Sequence, residues 1–179
     1  KRGENQIRNL AKIELGKHDS AKVIAATKTW AAGLDAKSPD YAHHLLEALW
    51  VHQWHNVVDV DLLSRLLRST NAGARAAAVR VLGYWRDRVP NALAELQRLA
   101  SDENPRVRLQ AVRAASFFPD PRATEVALAA TKLEVDYYLD YVIGETLRQL
   151  RPQWRKSIGE GAAIAGGDPA SMRYLLRTL

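Results

Sequence analysis

A repeat of 33 residues is the feature of this sequence that most restricts its fold. Apolar residues recur at this interval in two sets of three: Leu46, Val79 and Val112, and Leu49, Leu82 and Ala115. The intervening segments keep the same step, as Leu63 and Leu96 show. Within each unit the apolar residues lie three and four positions apart, which is typical of amphipathic helices. A two-helix unit repeating at this length indicates an α-solenoid.

Capping residues followed by proline mark where helices are expected to begin. Four such pairs occur, at positions 38–39, 104–105, 120–121 and 168–169. The cap accepts a hydrogen bond from an otherwise unpaired N–H, and proline at the first helical position loses none. We therefore predict an all-α fold, an α-solenoid of about five helix pairs forming one array over residues 1–179. Its clear repeats cover 38–135, and divergent ends cover 1–37 and 136–179.

Two asparagine–arginine pairs point to contacts between successive repeats. Arg75 follows Asn71 by four residues, and Arg108 follows Asn104 by four. We expect the asparagines to cap helix starts and the arginines to reach the next repeat. One helix pair cannot bury its apolar side alone, so such contacts would help hold neighbours in register.

Two further rows of residues repeat along the chain. The first carries planar rings at His52, Trp85 and Phe118, with Val51, Tyr84 and Phe117 one position earlier. The second carries charges at Glu47, Arg80, Arg113 and, one shortened step later, Glu145. We predict that both rows are structural, the rings as a stacked column and the charges as salt bridges between repeats. Exposed salt bridges are each worth only about 0.2–1 kcal/mol.

The segment 43–58 raises the question of a metal site, because it holds four of the five histidines. His52 and His55 lie three apart and could share one helical face, as metal ligands do. Zinc needs three or four ligands, and no third one stands at a suitable spacing. We therefore interpret the histidines as structural and predict no metal and no cofactor.

Composition narrows the function classes further. The net charge is +6, and residues 65–113 contain ten arginines against four acids. Such a basic surface suits an anionic partner or is simply solvated. The absence of cysteine excludes disulfides and covalent haem attachment within this segment. The sequence begins without Met and ends in a helical pattern, so we expect a fragment of a longer protein.

Two stretches carry a family resemblance. "NAGARAAAVRVLG" and "NPRVRLQAVRAA" resemble HEAT repeats, in which a capping residue precedes a Val-Arg pair and small apolar residues. "LLEALWVHQWHNVV" and "YYLDYVIGETLRQLRPQW" extend this to a resemblance to the HEAT segment of bacterial PVC-type membrane-bound dehydrogenase proteins. That resemblance implies a HEAT-like array beside a dehydrogenase-like propeller and a c-type cytochrome domain. It also implies a periplasmic or membrane-associated setting, and it supplies no catalytic residue.

The leading hypothesis is a non-catalytic scaffold that binds protein domains, either of its parent chain or of another protein. Its interaction surface is predicted to include six residues: Trp54, Arg65, Arg68, Arg86, Arg88 and Arg98. No membrane insertion is expected, since no apolar run reaches eighteen residues.

The alternative is a basic nucleic-acid-binding array similar to the HEAT-like DNA glycosylases. It would place phosphates on Arg65, Arg68 and Arg98 of the second helices and stack bases on tryptophans. The tryptophans concerned are Trp50, Trp54 and Trp85.

A third hypothesis, an enzyme, would use the acids Asp136, Asp140 and Glu145 with Tyr137, Tyr138 and Tyr141. We prefer to interpret Asp136 as a helix cap and the tyrosines as packing on the preceding repeat. Two carboxylates alone do not define a general acid and base.

Overall fold

The computed structural model describes residues 2–178, with side chains from residue 6 onward. Eleven α-helices follow one another in this part of the chain: α1 (Arg2–Leu15), α2 (Ser20–Ala32), α3 (Tyr41–Trp54), α4 (Val60–Leu67), α5 (Ala72–Trp85), α6 (Ala92–Leu99), α7 (Pro105–Ala115), α8 (Arg122–Ala129), α9 (Tyr137–Gln149), α10 (Arg151–Gly159) and α11 (Pro169–Leu176). Two short 3₁₀ turns lie at Ala130–Lys132 and Ala165–Gly167. None of the helices in residues 2–178 is long and apolar enough to cross a lipid bilayer.

The helices form two layers. The first helices of successive pairs, α3, α5, α7 and α9, pack side by side, and the shorter α4, α6 and α8 pack against them. In chain order the helices give five successive pairs, from α1/α2 to α9/α10. The last helix, α11, packs on α8. The predicted all-α solenoid of about five helix pairs is confirmed.

The core lies between the two layers. The six apolar positions that define the 33-residue repeat are all buried, with Leu46 at 6% exposure and the others at 0%. Small residues let the first helices approach closely. A Cβ added to Gly83 of α5 would lie only 3.2 Å from the Ala114 Cβ of α7. The alanine-rich sequence therefore sets how tightly α5 and α7 pack.

Helix starts follow the predicted cap–proline pairs in two of four cases. Asn104-Pro105 begins α7 and Asp168-Pro169 begins α11. The prediction was wrong at 38–39, because Ser38 instead opens a turn and α3 starts at Tyr41. At 120–121 the Asp120 carboxylate accepts from the Arg122 amide at 2.8 Å, and α8 begins one residue later than predicted.

Arg75 joins its repeat to the next. Its Nη1 donates to the carbonyl oxygens of Ser69 and Thr70, which precede α5. Its Nε and Nη2 donate to the Asp102 carboxylate at 2.8 and 2.9 Å, in the connection before α7. Burial raises the pKa of Asp102, but the hydrogen bonds from Arg75 and from the Asn104 amide, together with the charges of Arg75 and Arg98, hold that pKa below its ordinary value.

Arg108 repeats this arrangement one unit later. Its Nη1 donates to the carbonyl oxygens of Asp102 and Glu103, and its Nη2 donates to the Glu134 carbonyl before α9. Arg75 and Arg108 are both buried, at 8% and 2% exposure. We call these two residues the arginine bridge. The predicted asparagine caps are present too, since Asn71 and Asn104 accept from the first-turn amides of α5 and α7.

Candidate interaction face

The arginines predicted on the second helices are exposed and already have partners. Arg68 and Arg98 both donate to the Glu95 carboxylate at 2.9 Å, and Arg65 donates to the Tyr41 hydroxyl. These contacts link α4, α6 and α3. They use much of the hydrogen-bonding capacity that a phosphate would need.

The other three predicted surface residues lie where first helices end. Trp54 is 55% exposed at the end of α3, and Arg88 donates to the Asn56 side chain at 2.6 Å. Arg86 places its guanidinium 5.6 Å from the Phe117 ring centroid, which is a cation–π contact between repeats. The six residues thus belong to two separate surfaces, not one.

The histidines of segment 43–58 go to four different environments. His52 is buried and its Nδ1 lies 3.2 Å from the Val57 carbonyl oxygen, whereas His55 Nδ1 lies 3.0 Å from the Ser20 hydroxyl. His43 lies beside Glu47, with 3.5 Å between Nε2 and Oε1, and His44 meets the Trp30 ring edge-on. Among the described residues no three His, Asp or Glu side chains converge as metal ligands would.

The three rings predicted as a stacked column, those of His52, Trp85 and Phe118, differ in how deeply they are buried. His52 and Trp85 are buried, and Phe118 is partly buried against the core. They do not stack: the close ring pairs within residues 6–178 lie elsewhere, as in Trp30 with His44. Packed helix axes are about 8–10 Å apart, which exceeds the 4.5–7 Å of a ring pair. The prediction of a stacked column was wrong.

The rings one position earlier point outward. Tyr84 is 60% exposed and Phe117 is 50% exposed. Adjacent residues on a helix lie about 100° apart, so Tyr84 turns away from the core while its neighbour Trp85 is buried. Phe117 points outward in the turn that follows α7. A signal for this surface was present in the sequence, because Tyr84 and Phe117 recur at the repeat interval one position before the buried row.

The charged row does not form the predicted salt bridges between repeats. Glu47 pairs with Arg8 of α1 at 2.8 Å, and Glu145 pairs with Arg148 within α9. Within residues 6–178, neither Arg80 nor Arg113 has a carboxylate at ion-pair distance. The prediction was wrong because the row lies on the outer side of the first helices, where each acid finds a closer arginine.

These two misassigned rows together line a groove between α5 and α7. We define the α5–α7 groove by Arg80, Tyr84, Arg86, Arg113 and Phe117, with a volume of about 260 Å³. Its floor is made by Gly83 and Ala114, and Gln110 adds a polar group at its side. The groove combines two exposed rings with three guanidinium groups.

A second cavity extends this face toward the N-terminus. A cavity of about 310 Å³ lies between α3 and α5, beside Lys12 and Trp50, and it shares Arg80 and Tyr84 with the α5–α7 groove. The Lys12 ammonium lies 5.0 Å from the Trp50 ring centroid. Cations and aromatic rings therefore alternate along the first-helix layer.

The acids proposed for an enzyme have structural partners. Asp136 caps α9 by accepting from the Leu139 amide at 2.8 Å, as predicted. Asp140 accepts from the Tyr174 hydroxyl, and burial together with this carboxylate raises the pKa of Tyr174. The prediction that tyrosines 137, 138 and 141 pack on the preceding repeat was wrong, since they are 79%, 71% and 59% exposed.

The comparisons with known proteins agree with this architecture. The model of the family described as HEAT repeats matches residues 60–148, which span α4 to α9. Searches among curated proteins and among solved structures found no match. The matched segment contains the arginine bridge, the α5–α7 groove and the buried repeat positions of α5 and α7. The segment from α4 to α9 is therefore a run of HEAT repeats.

Proposed function

We propose that this chain is a non-catalytic scaffold that binds protein partners through its first-helix layer. The proposal rests mainly on exposed rings and on arginines that have no carboxylate at ion-pair distance among residues 6–178. These side chains lie on, or directly after, helices whose opposite sides form a continuous core. A rigid array with an exposed aromatic and arginine surface has the composition typical of protein interfaces. HEAT repeats are a common means of building such surfaces.

The roles of the acidic residues support a function without catalysis. Asp136 caps a helix, Asp102 holds Arg75, and Glu145 pairs with Arg148. A general acid or base would need to converge with a second reactive group in a pocket. In each of these three cases the carboxylate has a structural contact that explains its position.

The resemblance to PVC-type dehydrogenase proteins suggests where the partner is found. We propose that the array spaces or contacts a dehydrogenase-like propeller and a c-type cytochrome domain, in the periplasm or at a membrane. Binding within one parent chain needs little intrinsic affinity, because the linker keeps the partner at a high effective concentration.

Nucleic-acid binding is the weaker alternative. Arg68 and Arg98 share Glu95, and Trp85 is buried where a base cannot stack on it. Phosphate binding depends on clustered, available cations and falls steeply with salt. Titration of labelled duplex DNA at low salt is expected to give no saturable, salt-sensitive binding.

The scaffold proposal is tested by mixing the full chain with the propeller and cytochrome domains of a PVC-type protein, each purified separately. Isothermal calorimetry is expected to show saturable binding to at least one of them. A control with Lys156 and Glu160 replaced by serine alters exposed side chains at the end of α10, outside the first-helix layer, and is expected to bind equally. Absence of binding to both domains would count against the dehydrogenase context.

A further inference from the structure

We propose that the α5–α7 groove is a docking site for a short acidic peptide segment carrying two apolar side chains. The inference rests on the proposed scaffold function and names the chemistry of the partner. Three features support it: the guanidinium groups, the exposed rings, and the two acidic residues that end the row of arginines on either side.

The positive charge of the groove's arginines favours an anionic partner. Arg80 and Arg113 are exposed, and within residues 6–178 neither has a carboxylate at ion-pair distance. Arg86 donates to the Gly83 carbonyl oxygen at 3.1 Å and lies over the Phe117 ring. It also has the exposed Asp87 carboxylate 3.7 Å from its Nη2, so the open guanidinium groups are those of Arg80 and Arg113. Guanidinium groups favour carboxylates, to which they donate two parallel hydrogen bonds.

The exposed rings of the groove favour apolar side chains on the same partner. Tyr84 lies in the last turn of α5 and Phe117 lies in the turn directly after α7, one repeat later, and both are half exposed or more. Helix axes in contact are about 8–10 Å apart, and a peptide in the polyproline II conformation advances about 3.1 Å per residue with every third side chain on the same side. Two apolar side chains about three residues apart would therefore reach both rings. Rings and arginines are the residue types that dominate binding energy at interfaces.

The ends of the basic row favour a short peptide over a nucleic acid. Along the repeat, Arg80 and Arg113 are flanked by Glu47 on α3 and Glu145 on α9, each already paired with an arginine. The ring row also stops, because Gln149 stands one shortened step after Phe117 and donates to the Ser116 carbonyl at 3.0 Å. A polyanionic strand needs a continuous cationic track, whereas this site spans two repeats only.

The test is a peptide display selection on the full chain, using random octapeptides of all charge classes. We expect enrichment of peptides with several Asp or Glu residues and two apolar residues about three apart. Binding of an enriched, fluorescein-labelled peptide is then measured by anisotropy. The double variant R80E/R113E is expected to weaken it about tenfold or more, the scale expected of contacts that dominate an interface.

The matched control is R106E/R155E, which makes the same charge change at exposed arginines outside the groove. It is expected to change affinity less than about threefold, through long-range charge alone. A second variant, Y84A/F117A, keeps the charge and is expected to weaken binding as strongly as R80E/R113E. Circular dichroism checks that each variant remains folded, as expected for substitutions of exposed side chains.

Three results would overturn the assignment. They are no enrichment of acidic peptides, enriched peptides whose affinity is equal in R80E/R113E and in the control, and tighter binding of a single-stranded oligonucleotide that the groove variants abolish. Because binding of the propeller and cytochrome domains is measured separately, the two proposals can fail independently. A domain that binds the chain and both groove variants equally would keep the scaffold function and remove the groove from it.

Discussion

The centre of the array and its N-terminal pair have apolar residues at the same helical spacing, but these residues are buried to very different extents. In α5 and α7 most side chains on the inner side are buried, including Leu82 and Val112 at 0% exposure. In α1, Ile7, Leu10 and Ile13 are 70%, 60% and 53% exposed although they recur at helical spacing. The difference shows that burial in this molecule comes from having a neighbour on each side, not from the apolar pattern of one helix.

The largest difference in the free energy of unfolding is expected between alanine variants of a central and a terminal leucine. Leu82→Ala removes a fully buried side chain and is expected to lower the free energy of unfolding by about 2–5 kcal/mol. Leu10→Ala removes the same atoms from an exposed position and is expected to change it by less than about 0.5 kcal/mol. Urea denaturation followed by circular dichroism measures both. Equal losses would mean that α1 is covered as fully as α5.

The arginine bridge should matter more than the exposed ion pairs. Arg75→Ala removes the arginine donor from two carbonyl oxygens and leaves the Asp102 carboxylate with the Asn104 amide alone, so a loss of about 3 kcal/mol is expected. Arg68→Ala breaks a pair with Glu95 in which the arginine is 57% exposed, and a loss below about 1 kcal/mol is expected. The same denaturation experiment compares the two. A smaller loss for Arg75 than for Arg68 would contradict the role of the bridge.

A pH dependence is expected from His52 in α3. Burial lowers its pKa below the ordinary value of 6.5, and the nearby Asp59 carboxylate opposes this only in part. Lys28 and His55 also face it, and both act to lower the pKa. The unfolded chain then takes up the proton first. Stability from neutral His52 is therefore complete above about pH 6.5 and is lost as pH falls through the folded-state pKa.

The measurement is the melting temperature between pH 7.5 and 5 for the unaltered chain and for His52→Gln. The variant keeps a polar group near the Val57 carbonyl but does not titrate. It is expected to start at a lower melting temperature and to fall less steeply with pH. An identical slope in both proteins would show that His52 does not contribute.

The smallest expected effect compares two helical glycines. At Gly144 in α9 an added Cβ would make only ordinary contact with the Arg148 side chain, at 3.6 Å. Gly144→Ala is expected to stabilise the chain by about 0.5–1 kcal/mol, because alanine favours the helix. Gly83→Ala in α5 is expected to gain less or to destabilise, since Ala114 is closer. Thermal melting of both variants tests this ordering.

The repeat interval predicted the core well and the surface poorly. Val79 and Leu82 could be placed in the core because every unit buries the same side of its helix. The caps at Asn71 and Asn104 and the reach of Arg75 depend on local geometry that repeats with the chain. Their contacts were predictable from spacing alone.

The same interval does not say which partner an outward side chain meets. Glu47 pairs with Arg8, which stands outside the clear repeats, so no alignment of units could reveal it. Tyr84 and Phe117 recur as regularly as the core positions, and only their direction from the helix separates them from Trp85. The α5–α7 groove was missed for this reason.

Hydrogen exchange measured by mass spectrometry on the intact chain tests the central claim most directly, because it reports the opening free energy of each helix. If neighbours on both sides provide the stability, amides of α5 and α7 should exchange slowest, α3 and α9 faster, and α1 fastest. Protection in α1 equal to that in α7 would contradict the account.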